Sequence, residues 1–490
     1  MGIDTYQEPV IYMRADCPVC RSEGFASQSR VRVSRNGLSL IATLNVVQSD
    51  LLAHGQAGLS AIAWRMLGDN QAVEITLSHP EPVESFRYVR AKLFGHPLES
   101  EQFHAIVQDV AKRRYSDVQL SAFLTACVGE RLDLDEVVSL THAMVAAGER
   151  IFWGQKAVFD KHCVGGLPGN RTTPIVVAIV TACGVMMPKT SSRAITSPAG
   201  TADTMATMTS VDLSLPMMRE VVEREGGCLV WGGGVNLSPA DDVLIRVERA
   251  LNIDSEAQLV ASVLSKKIAA GSTHPVIDIP TGPTAKVRTR EMANRLSQIL
   301  RATGARLGLD VETIVTDGSQ PVGRGIGPAL EAHDVLAVLQ CTPDAPKDLR
   351  SRAALLAGLI LERSGQADVG QGVAHSLAVL NDGRAWKKFQ AICQAQGGLR
   401  TPPVAAYQHE IVADKSGRVL QIDNRRLARV AKLAGAPTAP AAGVVMHVHV
   451  GDAVQAGSTV MTLHAEAPGE LNYALTYLGE HADLMHIARL

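Results

Sequence analysis

The sequence has no charge excess of either sign: 47 Lys and Arg stand against 49 Asp and Glu, for a formal charge of −2. Such a balance gives no global pull toward nucleic acid or an anionic membrane. Neither is expected as a partner, so any anion recognition must be local. No apolar run reaches the roughly eighteen residues that a membrane-crossing helix needs. The opening residues MGIDTYQEPVIYMRAD lack a basic segment followed by an apolar one, so no secretory signal is expected. The eight cysteines are scattered apart from Cys17 and Cys20, the pattern of reduced thiols in a cytoplasm. Cys17-Pro-Val-Cys20 has the spacing of half a zinc site, but no second CxxC or CxxH follows nearby. A metal there would need ligands from afar or from a partner chain, and neither a metal nor a cofactor is expected. GxxxxGK[ST] is missing, and Gly323, Gly325 and Gly327 do not make GxGxxG, so the P-loop and dinucleotide fingerprints are excluded.

What is present is ordinary globular composition, 46% hydrophobic and 20% charged, at a length suited to about two to four domains. Residues 1–87 carry strand-like runs (Val31 to Val33, Leu38 to Val47, Ala72 to Leu77) and read as a mostly-β domain. Residues 88–155 read as helical, with apolar spacing of three and four over Ser100 to Arg113 and Asp117 to Glu130, followed by Asp133 to Ala147. From 156 to 340, apolar strands such as Pro275 to Ile279 alternate with helices, as in an α/β sheet. Residues 341–490 pass from helices (Leu349 to Arg363, Arg384 to Gln396) to strand-rich sequence after Ile411, an α+β lobe. Ala434 to Ala442 reads as a short linker.

The richest stretch runs from Asp160 to Met205. Lys161 and His162 lead into a glycine loop (Gly165, Gly166, Gly169). Thr172 and Thr173 then precede Pro174, expected as the first residue of an apolar helix, so backbone N–H groups and a helix dipole converge there. A strand from Val185 reaches Thr190, Ser191, Ser192 and Arg193, and a second loop (Ser197, Pro198, Gly200, Thr201) opens another helix. Either loop alone is ordinary turn chemistry. Together with the Lys-His pair they form a candidate phosphate site. A second cluster follows: Ser255 is the expected N-cap of a helix with Gln258 as its capping-box partner, and Ser262 and Lys266, four apart, share a face. By spacing alone that pair is a solvated face, and Asp254 is a helix-start carboxylate.

Asp160-Lys161-His162, Gly165-Gly166, the segment KTSSRAITSPAGTAD and the segment CLVWGGGVNLSPADD resemble the signatures of the thymidine phosphorylase family, the class II nucleoside phosphorylases. The resemblance is to the long form shared with archaeal AMP phosphorylases and runs from about residue 88 to the C-terminus, with residues 1–87 resembling the extra N-terminal domain. It implies a cytoplasmic homodimer or higher homo-oligomer with a helical domain, to which 239–270 returns, a large α/β phosphate-binding domain, and a C-terminal lobe ending like a barrel-sandwich. It also implies inorganic phosphate and a nucleoside or nucleotide as substrates. Lys161, Cys163, Thr173, Ser191 and Thr201 would hold phosphate, with His162 close to the sugar. Gly166, Ser192, Arg193, Ala194, Ile195, Thr196, Ser197, Ser262 and Lys286 would hold the nucleoside or nucleotide. Lys266 would hold the base and Asp254 would protonate it if it is a purine. Phosphorolysis of a glycosidic bond suits these residue types, since positioning and electrostatics carry most of such a reaction.

Three departures stand out. Cys163 replaces a serine, and beside Lys161 its thiol pKa is expected to be lowered. The phosphate loop is longer and ends in Asn170-Arg171. The arginine that clamps a pyrimidine in thymidine phosphorylases falls by counting at Val247 or Glu248, flanked by Arg246 and Arg249, whereas the AMP phosphorylase positions are unchanged. The tail from Gly443 to Gly457 resembles biotinyl and lipoyl carriers but lacks their lysine, since Lys432 is the last in the chain, and it reads as a structural lobe. The competing enzyme class, the related anthranilate phosphoribosyltransferase, would need acidic Mg²⁺ ligands beside the glycine loop, and Val164 to Thr173 has none. A non-catalytic nucleotide-binding protein is the alternative outside enzymes.

Overall fold

The computed structural model describes residues 3–5, 8–68, 73–129, 131–194, 197–235, 237–251, 253 and 255–489. Near the N-terminus, Ala57–Leu59, Val10–Arg14, Leu38–Val47, Arg30–Arg35 and Thr76–Ser78 lie side by side in that order. Val10–Arg14 runs parallel to Leu38–Val47, and the other pairings are antiparallel. Alternate residues Val31, Val33, Ala42 and Leu44 are fully buried, the two-residue period of a sheet with one covered face. The guanidinium of Arg30 donates to the Arg113 carbonyl at 2.9 Å and ties this sheet to the helices that follow.

Those helices are Phe86–Leu93, Ser100–Ala111, Asp117–Ala126 and Leu134–Ala146. Ser116 and Asp133 cap the last two by accepting from the N–H groups of Gln119 and Glu136. The expected extensions to Arg113 and Glu130 are not made. The first helix ends at Ala111 and the chain turns away through Arg113 at φ +56°, while the second ends at Ala126 and Glu130 lies outside the described residues. Two later helices, Pro239–Leu251 and Glu256–Ala269, pack on this bundle, and Val243, Val260 and Leu264 share one apolar core with Phe103, Phe123 and Leu140.

The central part is α/β. Strands Glu312–Asp317, His274–Thr281 and Phe159–Cys163 form a parallel sheet in that order. A second parallel pair joins Met187–Ser191 to Gly227–Trp231, and the Phe159 N–H donates to the Met186 carbonyl at 3.0 Å between the two. Helix Thr172–Ala182 is buried on all sides from Thr172 to Thr181 and is packed by Lys347–Arg363 and Arg384–Ala395. It begins two residues earlier than expected, with Pro174 as its third residue. The first turn tolerates this because its N–H groups have no partner inside the helix.

In the C-terminal lobe, Gly325–Ile326, Gly443–Met446, Thr459–Ala465 and Tyr407–Val412 form one sheet, and Ala453–Val454, Gly417–Ile422 and Met485–Ala488 another. Two helices, Asn424–Leu433 and Pro468–Glu480, interleave with the expected strands. The segment expected as a linker is packed instead: Ala434, Ala436, Ala441 and Ala442 are all buried. This lobe also grips the central part. The Asn424 N–H donates to Thr284 Oγ1 at 3.1 Å, Asn424 Nδ2 donates to the Gly318 carbonyl at 3.0 Å, and the Arg425 guanidinium donates to the Ala285 carbonyl.

Candidate active site

Both parallel sheets deliver their C-terminal ends, Cys163, Ser191 and Trp231, to one cavity of about 250 Å³. Open α/β sheets bind ligands at this end of their strands. Strand Phe159–Cys163 places neighbouring side chains in different company. Lys161, 1% exposed, donates from Nζ to Thr172 Oγ1 at 2.8 Å. Asp160, fully buried, accepts from Lys189 Nζ at 3.1 Å and Lys267 Nζ at 2.9 Å. The glycine loop then turns tightly. Gly166 has φ +80°, and a Cβ there would lie 2.5 Å from the Lys286 backbone nitrogen, so only glycine fits.

The cavity brings together Lys161, His162, Cys163, Gly166, Thr173, Ser191, Ser192, Ser197, Thr201 and Lys266 from the sequence-predicted set. Among the described residues, Arg193, Ala194, Ser262 and Lys286 do not line it. Arg193 turns to Asp203 at 3.4 Å and Asp212 at 3.2 Å and lies over the Trp231 ring. The Ala194 N–H donates to Asp203, and Lys286 abuts Gly166 from outside the cavity wall. Asp254, Ile195 and Thr196 lie outside the described residues. Ser255 caps its helix as expected, but Gln258 does not reciprocate, and its side-chain amide makes no hydrogen bond among the described residues.

The cavity lining carries Lys161, Arg171, Lys189, Lys266 and Lys267 and the carboxyl of Asp242, and four of these cations are ion-paired to buried carboxylates. Burial disfavours the Lys161 charge and lowers its pKa. Burial is also the main reason that His162 sits well below the ordinary imidazole value, with Lys267, Lys189, Lys266 and Lys161 adding to it. His162 is therefore neutral near pH 7, able both to donate and to accept a hydrogen bond. For Lys266 burial is again the largest single influence, but Asp241, to which it is ion-paired, together with Asp242 and Glu248 offsets it and holds the ammonium above its ordinary value. Asp242 opens to the cavity beside this pair, and desolvation and the Asp241 charge push its carboxyl up to about 6.

Cys163 departs from expectation. Burial first, and Asp278 second, push its thiol up to about 11 against the pull of Lys161, and Asn170 Nδ2 lies 3.4 Å from the sulfur. It is a neutral thiol rather than a thiolate. Among the described residues Ser191 Oγ is buried with no hydrogen-bond partner, a costly state unless a ligand completes it.

Several lining residues were given no ligand-holding role by sequence reasoning: Asn170 and Arg171 of the long loop, Trp231, Gly232, Gly233, Ser238 and Asp242 of the second signature segment, and Lys267. The adjacent lysines 266 and 267 were the available signal for the last. Arg246 is committed elsewhere, donating twice to the Asp117 carboxylate at 2.8 and 2.6 Å. The Arg249 side chain lies outside the described residues.

Residues 87–148 match the family described as "Glycosyl transferase family, helical bundle domain", residues 155–386 its "a/b domain", and residues 418–483 the "Pyrimidine nucleoside phosphorylase C-terminal domain". A protein of Polaromonas sp. (strain JS666), named "Putative thymidine phosphorylase", is 61% identical over 487 residues, covering 99% of this chain and 95% of that one. A protein of the same name from Legionella pneumophila (strain Corby) is 58% identical over 485 residues, covering 99% and 94%. Among solved structures, the anthranilate phosphoribosyltransferase of Thermus thermophilus superposes with a TM-score of 0.53 at 19% identity, covering 63% of this chain and 98% of that one, a likeness of fold alone. With matches along nearly its whole length, the chain belongs to the thymidine phosphorylase family and is a glycosyltransferase of that family's pentosyl-transferring kind.

Proposed function

We propose that the chain catalyses phosphorolysis of the thymidine phosphorylase type, in which a (deoxy)nucleoside and phosphate give the free base and the pentose 1-phosphate. The observation that carries this reading is the orphaned Ser191 hydroxyl, set in a lysine-lined cavity at the strand ends. In this reading Lys161, Thr173, Ser191 and Thr201 hold phosphate, with the N–H groups of the helix Thr172–Ala182 behind Thr173. A phosphate oxygen forms the new bond to C1′ as the bond from C1′ to the base nitrogen breaks. The electron pair of that bond leaves on the base, toward Lys266 and the wall formed by Ser238 and Asp242. Neutral His162, next to Lys161 on its strand and also lining the cavity, hydrogen-bonds the sugar without adding a charge that would oppose the oxocarbenium-like state. Lys266 rides on the helix Glu256–Ala269 and the phosphate residues on the central sheets, so closing the two together completes the site. The test is to incubate the purified protein with phosphate and a panel of nucleosides and nucleoside monophosphates. Base release that does not depend on phosphate, or no release from any of them, refutes it.

A second reading takes a nucleoside 5′-monophosphate, as in AMP phosphorylases, and yields ribose 1,5-bisphosphate. It is favoured by Arg246, which is held by Asp117 rather than free to clamp a pyrimidine. Here Asp254 protonates a leaving purine, so Asp254→Asn abolishes AMP phosphorolysis with little loss of AMP binding. In the thymidine reading Asp254→Asn is mild and Lys266→Ala severe. Turnover of thymidine with none of AMP removes the second reading.

A further inference from the structure

Arg171, at the end of the first phosphate loop, lines the cavity and reaches the second loop with its side chain. Its side chain is 13% exposed. Nε donates to Glu331 Oε2 at 2.7 Å, Nη1 to Thr201 Oγ1 at 2.7 Å and Nη2 to the Ala199 carbonyl at 2.9 Å. Glu331, 2% exposed, also accepts from Thr204 Oγ1 at 3.0 Å, on the same helical turn as Thr201, and from the Gly327 N–H. One carboxylate thus fixes the guanidinium and the turn it points to. A threonine hydroxyl has a single proton. Because the guanidinium can only donate, it occupies an acceptor position of Thr201, and the Thr201 proton must point elsewhere. Thr201 lines the cavity, so the hydroxyl is left as a donor toward an anion held there.

We propose that Arg171 is a positioning residue which, anchored by Glu331, polarises and orients the Thr201 hydroxyl as a hydrogen-bond donor to the bound phosphate. The proposal rests on the phosphorolytic reading of this cavity and adds to it the residue that sets the second loop. A merely structural staple would hold the loops together without any special coupling to Thr201.

The experiment measures phosphate affinity by calorimetry, and phosphate KM and kcat by turnover, for wild type, Arg171→Ala, Arg171→Lys, Thr201→Val and the double variant Arg171→Ala/Thr201→Val. Loss of a charge-assisted hydrogen bond predicts phosphate affinity weakened about tenfold or more in Arg171→Ala, with kcat for a bound substrate changed less. In the double variant the arginine change should add little once the Thr201 hydroxyl is gone. Guanidinium chloride at concentrations that leave wild type folded should restore part of the affinity to Arg171→Ala but not to the double variant. Arg171→Lys, which keeps the charge without the planar fork, should fall with Arg171→Ala and serves alone if the alanine variant does not fold. Full additivity in the double variant, or phosphate affinity within about twofold of wild type in Arg171→Ala and Arg171→Lys, overturns this proposal and leaves phosphorolysis standing. A wild-type protein that neither binds nor uses phosphate overturns the reading of the cavity and this proposal with it.

Discussion

Replacing Asp160 by asparagine should cost this protein more stability than almost any other single polar change. The carboxylate is fully buried and sits between two ammonium groups, 3.1 Å from Lys189 Nζ and 2.9 Å from Lys267 Nζ. Both lysines are nearly buried, so Asp160→Asn strands two positive charges away from water. Breaking a buried ion pair from one side costs about 3–5 kcal/mol, or roughly two to four powers of ten in the unfolding constant. Burial already depresses the Lys267 pKa, and Asp160 is the first influence opposing it; without the carboxylate the depression deepens. An ammonium whose folded pKa lies below its unfolded value of about 10.4 makes the unfolded state bind more protons, so stability rises with pH through that window. In wild type the Lys267 pKa is pushed down to about 7, so the native wild type and variant differ in protonation at Lys267 only below about that pH, and the deficit of the variant should be larger in mild acid and shrink as the pH rises through 7. Urea denaturation of wild type and variant at pH 5.5, 7 and 8.5 reads both effects. A deficit under about 1 kcal/mol, or one of constant size across these pH values, refutes the reasoning.

Other outcomes follow from the same geometry. Lys161→Ala and Ser191→Ala should each raise the phosphate KM about tenfold or more while circular dichroism stays native, and wild-type phosphate affinity in both would remove them from the phosphate site. Cys163, with its thiol pushed up to about 11, should react slowly with iodoacetamide at pH 7.5 and faster by about tenfold per pH unit up to that value, with saturating phosphate protecting it; rapid labelling at neutral pH would contradict the burial argument. Gly166→Ala forces a side chain onto backbone at φ +80° and 2.5 Å from the Lys286 nitrogen, so a loss of about 1–3 kcal/mol and of turnover is expected, and a fully active, equally stable variant would count against this loop geometry.

The parts of the fold that could be read from the sequence are those governed by local rules. Apolar spacing of three and four marked the bundle helices, and strand-like runs marked the strands that carry the buried Val31, Val33, Ala42 and Leu44. The candidate phosphate loops were legible because glycine, threonine and lysine crowd one short segment. What escaped depends on partners far along the chain. Asp160 finds Lys267 at a separation of 107 residues, and Arg171 finds Glu331 at 160, which no spacing rule reaches. Cys163 shows how a local reading of charge can take the wrong sign: Lys161 next door argues for a lowered pKa, but the cover supplied by the folded chain outweighs it. Gln258 and the segment 434–442 fail for the related reason that packing, not propensity, decides whether a side chain or a connection is free.

Among the described residues, none after Lys267 lines the cavity, yet the chain beyond 400 holds its surroundings from behind. Asn424 and Arg425 grasp the turn at Thr284 and Ala285 and the neighbouring Gly318, and that turn carries Lys286 against Gly166. A chain ended before Asn424 would keep every lining side chain and still lose the brace on the glycine loop. In engineering terms, the C-terminal lobe cannot be trimmed or exchanged as a passive appendage. Any graft onto this scaffold must carry an asparagine at the start of that helix, with its backbone N–H aimed at Thr284, or the loop that faces the anion will be set at a different depth.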